Sequence, residues 1–139
     1  MAKNMLLMSI RPYYADKIFS GTKTVELRRI KPKLLTEGDL VFVYVSSPVK
    51  SLVGAFSVAS VVKQALPSLW EIVKNHAGVS QEEFSDYYQG VQTGVAIFIQ
   101  DIWLLSEPLH LTQIKKDFKD LYPPQSFRYT SIKHITSLK

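Results

Sequence analysis

The residues best suited to chemistry in this chain are charged side chains within a ten-residue stretch, SGTKTVELRR. Polar and apolar residues alternate through TVELR, which predicts a strand that presents Glu26 and Arg28 on the same face. Side chains two residues apart on one face lie roughly 7 Å from each other. Lys23 lies in the turn just before this strand, close enough for its ammonium group to reach the opening of the same predicted site. The stretch therefore predicts a carboxylate flanked by two cations.

A carboxylate between two cations stays ionised and keeps a fixed orientation. Such a group suits the positioning of a ligand better than nucleophilic attack by Lys23, because an attacking amine needs a lowered pKa and the adjacent Glu26 raises it. The alternative is an ion-pair ladder on an exposed edge strand, with no role in binding.

A second group of polar and aromatic side chains lies near the C-terminal end, in the stretch PPQSFRY. As a constrained loop it would offer groups that read a splayed base: Gln125 for the base edge, the Ser126 hydroxyl beside it, and Phe127 or Tyr129 for stacking. Arg128 would contact a phosphate. The alternative is that the two aromatic rings fill the core.

Two further residues are candidates for the same site. Arg11 directly precedes a predicted helix, where backbone N–H groups and a cation together favour anions. Ser46 ends a predicted core strand and could line the same mouth. Arg29, Lys31 and Lys33 predict either a peripheral phosphate track or a solvated face.

Helix and turn signals around the charged stretch explain how its side chains are aimed. Residues 5–10 predict a short buried strand, and Pro12 then occupies a position that the first turn of a helix tolerates. Gly21 lies where a left-handed C-terminal cap would end that helix. The strand with Glu26 and Arg28 begins immediately after this cap.

The remaining elements follow from similar patterns. Strands are predicted at residues 41–46, 52–62 and 93–105, and Gly54 indicates a bulge or a barrel corner in the second of them. Helices are predicted at residues 68–77, after the capping box of Ser80 and Glu83, at residues 112–121 with Thr112 as the cap, and in the segment SIKHITSL. Long strands with apolar residues on both faces predict an α+β fold, a mixed β-barrel of about five or six strands with peripheral helices.

Composition narrows the class of protein. The 139 residues fit one domain, predicted to span residues 1–139. The absence of cysteine excludes disulfides, thiolate metal sites and cysteine nucleophiles, and no glycine-rich phosphate loop is present, so no metal or cofactor is expected. The longest apolar run, LVFVYV, is too short to cross a membrane, and the N-terminal stretch resembles no signal peptide. We therefore expect a cytoplasmic protein with no membrane partner.

The net charge of +5 is unevenly distributed along the chain. Residues 1–33 carry a net +6, residues 34–112 a net −5, and residues 113–139 a net +4. If the two basic ends meet in space, they form a face suited to a polyanion such as nucleic acid. The alternative is a chance distribution of surface lysines.

The pattern G-x-K-x-x-E-x-R, which begins at Gly21 after LLMSIRPYYADKIFS and precedes EGDLVFVYVS, resembles the ASCH domain family of the PUA-like superfamily. PPQSFRY is similar to a segment near the end of small ASCH proteins described as regulators or RNA-binding modules. The resemblance implies a PUA-like mixed β-barrel with helices at its rim. It also implies a cleft beside the first helix, lined by Lys23, Glu26 and Arg28, with RNA, single-stranded nucleic acid or a nucleotide as ligand.

Some members of the family are enzymes, either amidohydrolases of N4-acetylcytidine or ribonucleases. Lys23 matches the lysine of the amidohydrolase pattern, but Glu26 stands where that pattern has a threonine. That pattern also has a glutamate in a later helical region, but no glutamate stands at the matching position here, where the nearest residues are His76 and Gly78. An enzyme on RNA or a modified nucleoside, with Lys23 and Glu26 as catalytic residues, is therefore the second hypothesis after RNA binding.

A third hypothesis is a regulator that docks onto other proteins. It would use the aromatic residues of the two middle helices, Trp70, Phe84, Tyr87 and Tyr88. The three histidines form no metal-binding pair in the sequence and are expected to be structural or exposed.

Overall fold

The structure is a computed structural model that describes residues 4–130, apart from the side chain of Asp120. Its six strands are β1 (Met5–Ile10), β2 (Val25–Arg28), β3 (Leu40–Val45), β4 (Ser51–Ala65), β5 (Thr93–His110) and β6 (Phe127–Tyr129). Its helices are α1 (Pro12–Phe19), α2 (Leu66–Val73), α3 (Gln81–Tyr87), α4 (Leu111–Asp117) and a 3-10 turn at Lys119–Leu121.

The strands form one mixed sheet in the order β2-β5-β4-β3-β1-β6. Strands β1 and β3 are parallel, and the long connection that a parallel pair needs runs through α1 and β2; the other neighbouring pairs are antiparallel. The sheet curls into an open half-barrel, which brings the edge strand β2 close to the segment before β6. The prediction of an α+β fold built on a mixed, curled sheet is therefore confirmed.

Apolar residues on both faces of the central strands are covered, as their sequences predict. On β3 the side chains of Val41, Val43 and Val45 join one core cluster, whereas those of Phe42 and Tyr44 join a second cluster on the opposite face. The first cluster lies under α1, and the second lies beneath α4. A third cluster forms where α2 and α3 cover strands β2 and β5.

Two glycines have the local roles that the sequence predicts. Gly21 ends α1 with a φ of +83°, a left-handed conformation that favours glycine. Gly54 lies at a register shift between β4 and its neighbours, where a Cβ atom would stand 2.4 Å from the carbonyl oxygen of Trp103. Backbone contact, and not only the bulge, therefore excludes a side chain at this position.

Several predicted boundaries are wrong. Helix α2 occupies residues 66–73 instead of 68–77, and α4 stops at Asp117, because Phe118 leaves the helical conformation before the 3-10 turn. The cap of α4 is His110, whose Nδ1 accepts from the backbone N–H of Thr112, so Thr112 is not the cap. The segment SIKHITSL lies outside the described residues.

The two basic ends of the chain meet. Strand β6 pairs antiparallel with β1, so that Leu6 lies opposite Tyr129 and Met8 opposite Phe127. The loop predicted for PPQSFRY is thus partly wrong, because its last three residues extend the sheet. Within residues 4–130 no helix has the length and apolar character needed to cross a membrane.

We expect the Gly54→Ala substitution to lower the free energy of unfolding by about 2 to 3 kcal/mol, because the added methyl meets backbone that cannot move aside alone. Urea denaturation measures the change, with Ser60→Ala on the same strand as the exposed control. Equal stabilities of the two variants would contradict the close approach of β4 and β5.

Candidate ligand-binding cleft

A cleft of about 630 Å³ opens between the start of α1, strand β2, helix α3 and the segment before β6. Its volume falls within the range of small-molecule pockets. Six of the residues proposed from the sequence line it: Arg11, Lys23, Glu26, Arg28, Ser46 and Gln125. Arg11 and Gln125 are more than a hundred residues apart in the chain, so the curl of the sheet creates this site.

Arg28 and Glu26 form a nearly buried ion pair at the base of the cleft. The Nε and Nη2 atoms of Arg28 each lie 3.0 Å from Glu26 Oε2. The remaining donors of Arg28 reach across the open side of the sheet, Nη2 to the carbonyl oxygen of Ser9 at 2.8 Å and Nη1 to the hydroxyl of Ser126 at 3.2 Å. All three nitrogens of the guanidinium therefore have protein partners, and the pair is not a surface ladder.

Lys23 is 2% exposed and lies beside this pair. Its Nζ donates to the carbonyl oxygen of Ala77 at 2.7 Å and stands 3.9 Å from Glu26 Oε1. Burial lowers the pKa of the Lys23 ammonium, and the opposing effect of Glu26 does not compensate for it. The expectation that the adjacent carboxylate keeps this pKa high is therefore wrong, because the sequence does not reveal how deeply the amine is buried.

A second lysine holds the same loop between α2 and α3. Lys17 Nζ donates to the carbonyl oxygen of Gly78 at 2.7 Å, next to the carbonyl that Lys23 binds. Gly78 has a φ of +66° and packs against the Lys23 side chain, where an added Cβ would lie 3.1 Å from that of Lys23. The loop that carries α3 toward the cleft thus depends on two ammonium groups.

Besides the ring of Phe84, helix α3 supplies three polar cleft residues that the sequence reasoning missed: Glu83, Asp86 and Tyr87. Their spacing of three and four residues places them on one face of the helix, and that spacing was the available signal. Glu83 Oε1 also accepts from the backbone N–H of Ser80 at 2.8 Å, which completes the predicted capping box. This hydrogen bond is the main reason why the pKa of Glu83 is lowered.

Tyrosine hydroxyls attach α3 to strand β2. The hydroxyl of Tyr87 donates to the carbonyl oxygen of Leu27 at 3.2 Å, and that of Tyr88 points to the carbonyl oxygen of Arg28 at 3.0 Å. Burial raises the pKa of both phenols. The edge carbonyls of β2 therefore have partners, and the ring of Tyr87 remains 40% exposed at the cleft.

Tyr14 is another lining residue that the sequence reasoning missed as a site residue. The Lys23 ammonium lies 5.4 Å from the centroid of its ring, within the range of a cation–π contact. Burial is the main cause of the raised pKa of the Tyr14 phenol, and the nearby Glu83 adds to the effect.

The last residues of PPQSFRY are placed differently from the prediction. Phe127 and Tyr129 pack against the first core cluster, and Arg128 Nε donates to the carbonyl oxygen of Tyr122 at 3.2 Å. None of these three is among the lining residues, whereas Gln125 is one and Ser126 contacts Arg28. The structure favours the alternative in which the two rings complete the core.

The charges that line the cleft are balanced. Three cations, Arg11, Lys23 and Arg28, face three carboxylates, Glu26, Glu83 and Asp86. A pocket for phosphate would carry an excess of positive charge. This lining instead suits a neutral ligand with hydrogen-bonding edges.

The aromatic residues of the middle helices contribute mainly to the core. Trp70, Phe84 and Tyr88 belong to the third core cluster or pack against it, and only Tyr87 is substantially exposed. The hypothesis of a docking surface on these helices is therefore not supported. Across residues 4–130, no three His, Asp or Glu side chains converge as a metal site would require.

A curled mixed sheet with helices at its rim and a cleft beside its first helix is the α+β architecture of PUA-like domains. The family model of the ASCH domain matches residues 8–99. The chain therefore belongs to the ASCH domain family.

Similar proteins agree with this assignment. The ASCH domain-containing ribonuclease of Zymomonas mobilis is 31% identical over 123 residues, which cover 88% of this chain and 82% of the relative. The crystal structure of ASCH from Zymomonas mobilis matches with a TM-score of 0.87 at 28% identity, over 96% of this chain and 92% of that one. The N-terminal domain of Staphylothermus marinus McrB has a TM-score of 0.62 at 12% identity, over 99% and 97% of the two chains, and shares the fold.

We expect Arg28→Met to lower the free energy of unfolding by about 3 kcal/mol, because it leaves the carboxylate of Glu26 buried without its main partner. Combining it with Glu26→Gln should cost less than the sum of the single changes. A double-mutant cycle by chemical denaturation measures this coupling. The exposed pair of Glu71 and Lys74, at 2.7 Å, is the control and should couple by less than about 0.5 kcal/mol. Equal coupling in the two pairs would contradict a structural role for Arg28.

Proposed function

We propose that the protein binds single-stranded RNA and takes one unpaired base into the cleft between α1, β2 and α3. The observation that carries this proposal is the balanced lining of a pocket of about 630 Å³, in which Lys23 and Arg28 are paired with Glu26 and aromatic rings are available. Single-stranded RNA is commonly recognised through splayed bases that stack on aromatic rings and bond through their edges. The ribonuclease name of the Zymomonas relative supports RNA as the ligand.

The atoms at the mouth of the cleft suit a base better than a phosphate. The donors of Arg28 are already committed to Glu26, Ser9 and Ser126. The ring of Tyr87 provides a stacking surface, while Ser46 and Gln125 offer a hydroxyl and an amide. These groups would recognise a base by stacking and by hydrogen bonds to its edge.

We expect Tyr87→Ala to weaken binding of a labelled single-stranded RNA by about tenfold, since stacking on one ring contributes about 1 to 3 kcal/mol per base. Tyr87→Phe keeps the ring and loses only the hydroxyl bond to Leu27, so its affinity should stay close to that of the wild type. Tyr13→Ala removes an exposed tyrosine that does not line the cleft and serves as the control. Fluorescence anisotropy measures the three affinities. Binding of Tyr87→Ala equal to that of Tyr13→Ala would refute insertion of the base beside α3.

A second candidate function is cleavage of RNA, and the lowered pKa of Lys23 favours it. An unprotonated Lys23 would accept the proton of the ribose 2′-hydroxyl, whose oxygen then attacks the adjacent phosphorus and displaces the 5′-oxygen. Tyr14, which stays protonated because burial raises its pKa, would donate the proton to that leaving oxygen. Glu26 would keep the amine in place at 3.9 Å.

If Lys23 is the base, the rate of RNA cleavage should rise with pH and level off below 10.5, the ordinary pKa of lysine, because a lowered pKa frees the amine at lower pH. Lys23→Met should remove both the cleavage and its pH dependence. Lys17→Met is a matched control, since Lys17 holds the neighbouring carbonyl of the same loop but does not line the cleft. A gel assay with end-labelled RNA gives the rates. Cleavage by Lys23→Met at the rate of Lys17→Met would exclude this mechanism.

A further inference from the structure

We propose that residues 29–34, here called the flanking loop, form a contact surface for the sugar-phosphate backbone of the RNA whose base enters the cleft. The inference rests on the proposed function and adds a second part to the site. Phosphates contribute most of the affinity of nucleic acids for proteins. Of the three cleft cations, Lys23 and Arg28 are paired with Glu26 and only Arg11 has no ion pair among residues 4–130, so most of that contribution falls to cations outside the cleft.

The flanking loop lies beside the cleft. It directly follows Arg28, and Nη2 of Arg29 donates to the carbonyl oxygen of Gln89 at 3.3 Å, just beyond the end of α3. At its other end, the backbone N–H of Leu34 donates to the hydroxyl of Tyr129 at 2.6 Å. The loop therefore runs between the helix that carries Tyr87 and the strand that follows Gln125.

Arg29 and Lys33 are exposed and are available to an anion. The ion pairs among residues 4–130 involve the cations Lys23, Arg28 and Lys74. Within that range, neither Arg29 nor Lys33 has a carboxylate oxygen within 4.0 Å. The hydrogen bond of Arg29 to Gln89 occupies one nitrogen of its guanidinium. Each side chain can thus contact a phosphate without first giving up an ion pair.

Two large apolar side chains of the same loop face the solvent. Ile30 is 71% exposed and Leu34 is 60% exposed. Exposed apolar groups next to cations often mark interaction sites. Ribose rings and base faces that lie between successive phosphates would cover these side chains, so one ligand accounts for both the charged and the apolar members of the loop.

The loop has a defined shape before any ligand binds. Pro32 and Leu35 are buried, and the N–H of Leu35 donates to the carbonyl oxygen of Pro32 at 3.2 Å, which closes a turn with Lys33 and Leu34 at its tip. Lys31 Nζ lies within 3.4 Å of the carbonyl oxygens of Pro32, Lys33 and Leu35. Because the charge of Lys31 organises the turn, little conformational entropy remains to be lost on binding.

The test compares two pairs of substitutions that remove the same charge. Arg29→Ala with Lys33→Ala changes the flanking loop, and Lys115→Ala with Lys116→Ala changes two exposed lysines of α4, a helix that contributes no residue to the cleft. Affinity for a short labelled single-stranded RNA is measured by anisotropy across a series of KCl concentrations. Thermal melting of each variant verifies that it is folded.

The flanking-loop pair should weaken binding on the order of tenfold near physiological salt and reduce the slope of log Kd against log salt by about 1.4, or about 0.7 for each lost phosphate contact. Arg29→Lys with Lys33→Arg keeps both charges and should keep the slope. Ile30→Ser should weaken binding by the same factor at every salt concentration, since it removes apolar contact alone.

Other results overturn the proposal in distinguishable ways. Equal slopes for the flanking-loop pair and the α4 pair, while Tyr87→Ala still weakens binding, would refute the role of the loop and leave the cleft proposal standing. Absence of RNA binding by the wild-type protein at any salt concentration would refute both. A loss of slope that also occurs in the charge-conserving variant would show that the loop acts through folding and would refute the backbone contact.

Discussion

The ion pair between Glu26 and Arg28 is the interaction on which the rest of the structure depends. The sheet is an open half-barrel, so its edge strands β2 and β6 have no pairing with each other among the described residues. Arg28 bridges this opening through Ser9 and Ser126 while its charge is neutralised by Glu26. Such a nearly buried pair adds little net stability over apolar side chains of similar size, but removing one partner leaves the other charge buried and costs about 3 kcal/mol or more.

This bridge limits what Arg28 can offer to a ligand. A guanidinium whose nitrogens are all engaged by protein atoms cannot also neutralise a phosphate without losing bonds that hold the sheet edges together. Lys23 is similarly committed to Ala77 and Glu26. The charged side chains of Lys23, Glu26 and Arg28 thus bind mainly to other protein groups. The groups left for a ligand are aromatic rings, hydroxyls, an amide, the guanidinium of Arg11 and the carboxylates of α3.

Local patterns predicted the framework well, and tertiary effects account for the differences. Alternation along TVELR was enough to place Glu26 and Arg28 on one face, because successive side chains of a strand point to opposite faces of the sheet. The contribution of α3 was missed, since its approach to β2 depends on hydroxyl bonds between residues about sixty positions apart, such as Tyr87 and Leu27. The packing of Phe127 into the core could not be predicted from local sequence either, because β6 pairs with a strand at the opposite end of the chain.

The protonation of Lys23 shows how local sequence and tertiary packing act together. Burial lowers its pKa, whereas Glu26 raises it, so the net direction depends on how completely neighbouring elements cover the amine. A neutral base that closes the mouth of the cleft would remove more water and lower the pKa further, whereas a phosphate at the same place would raise it. The charge state of this lysine is therefore coupled to the class of ligand. The loop between α2 and α3, which Lys17 and Lys23 both bind, helps to cover the amine and so to lower its pKa before a ligand binds.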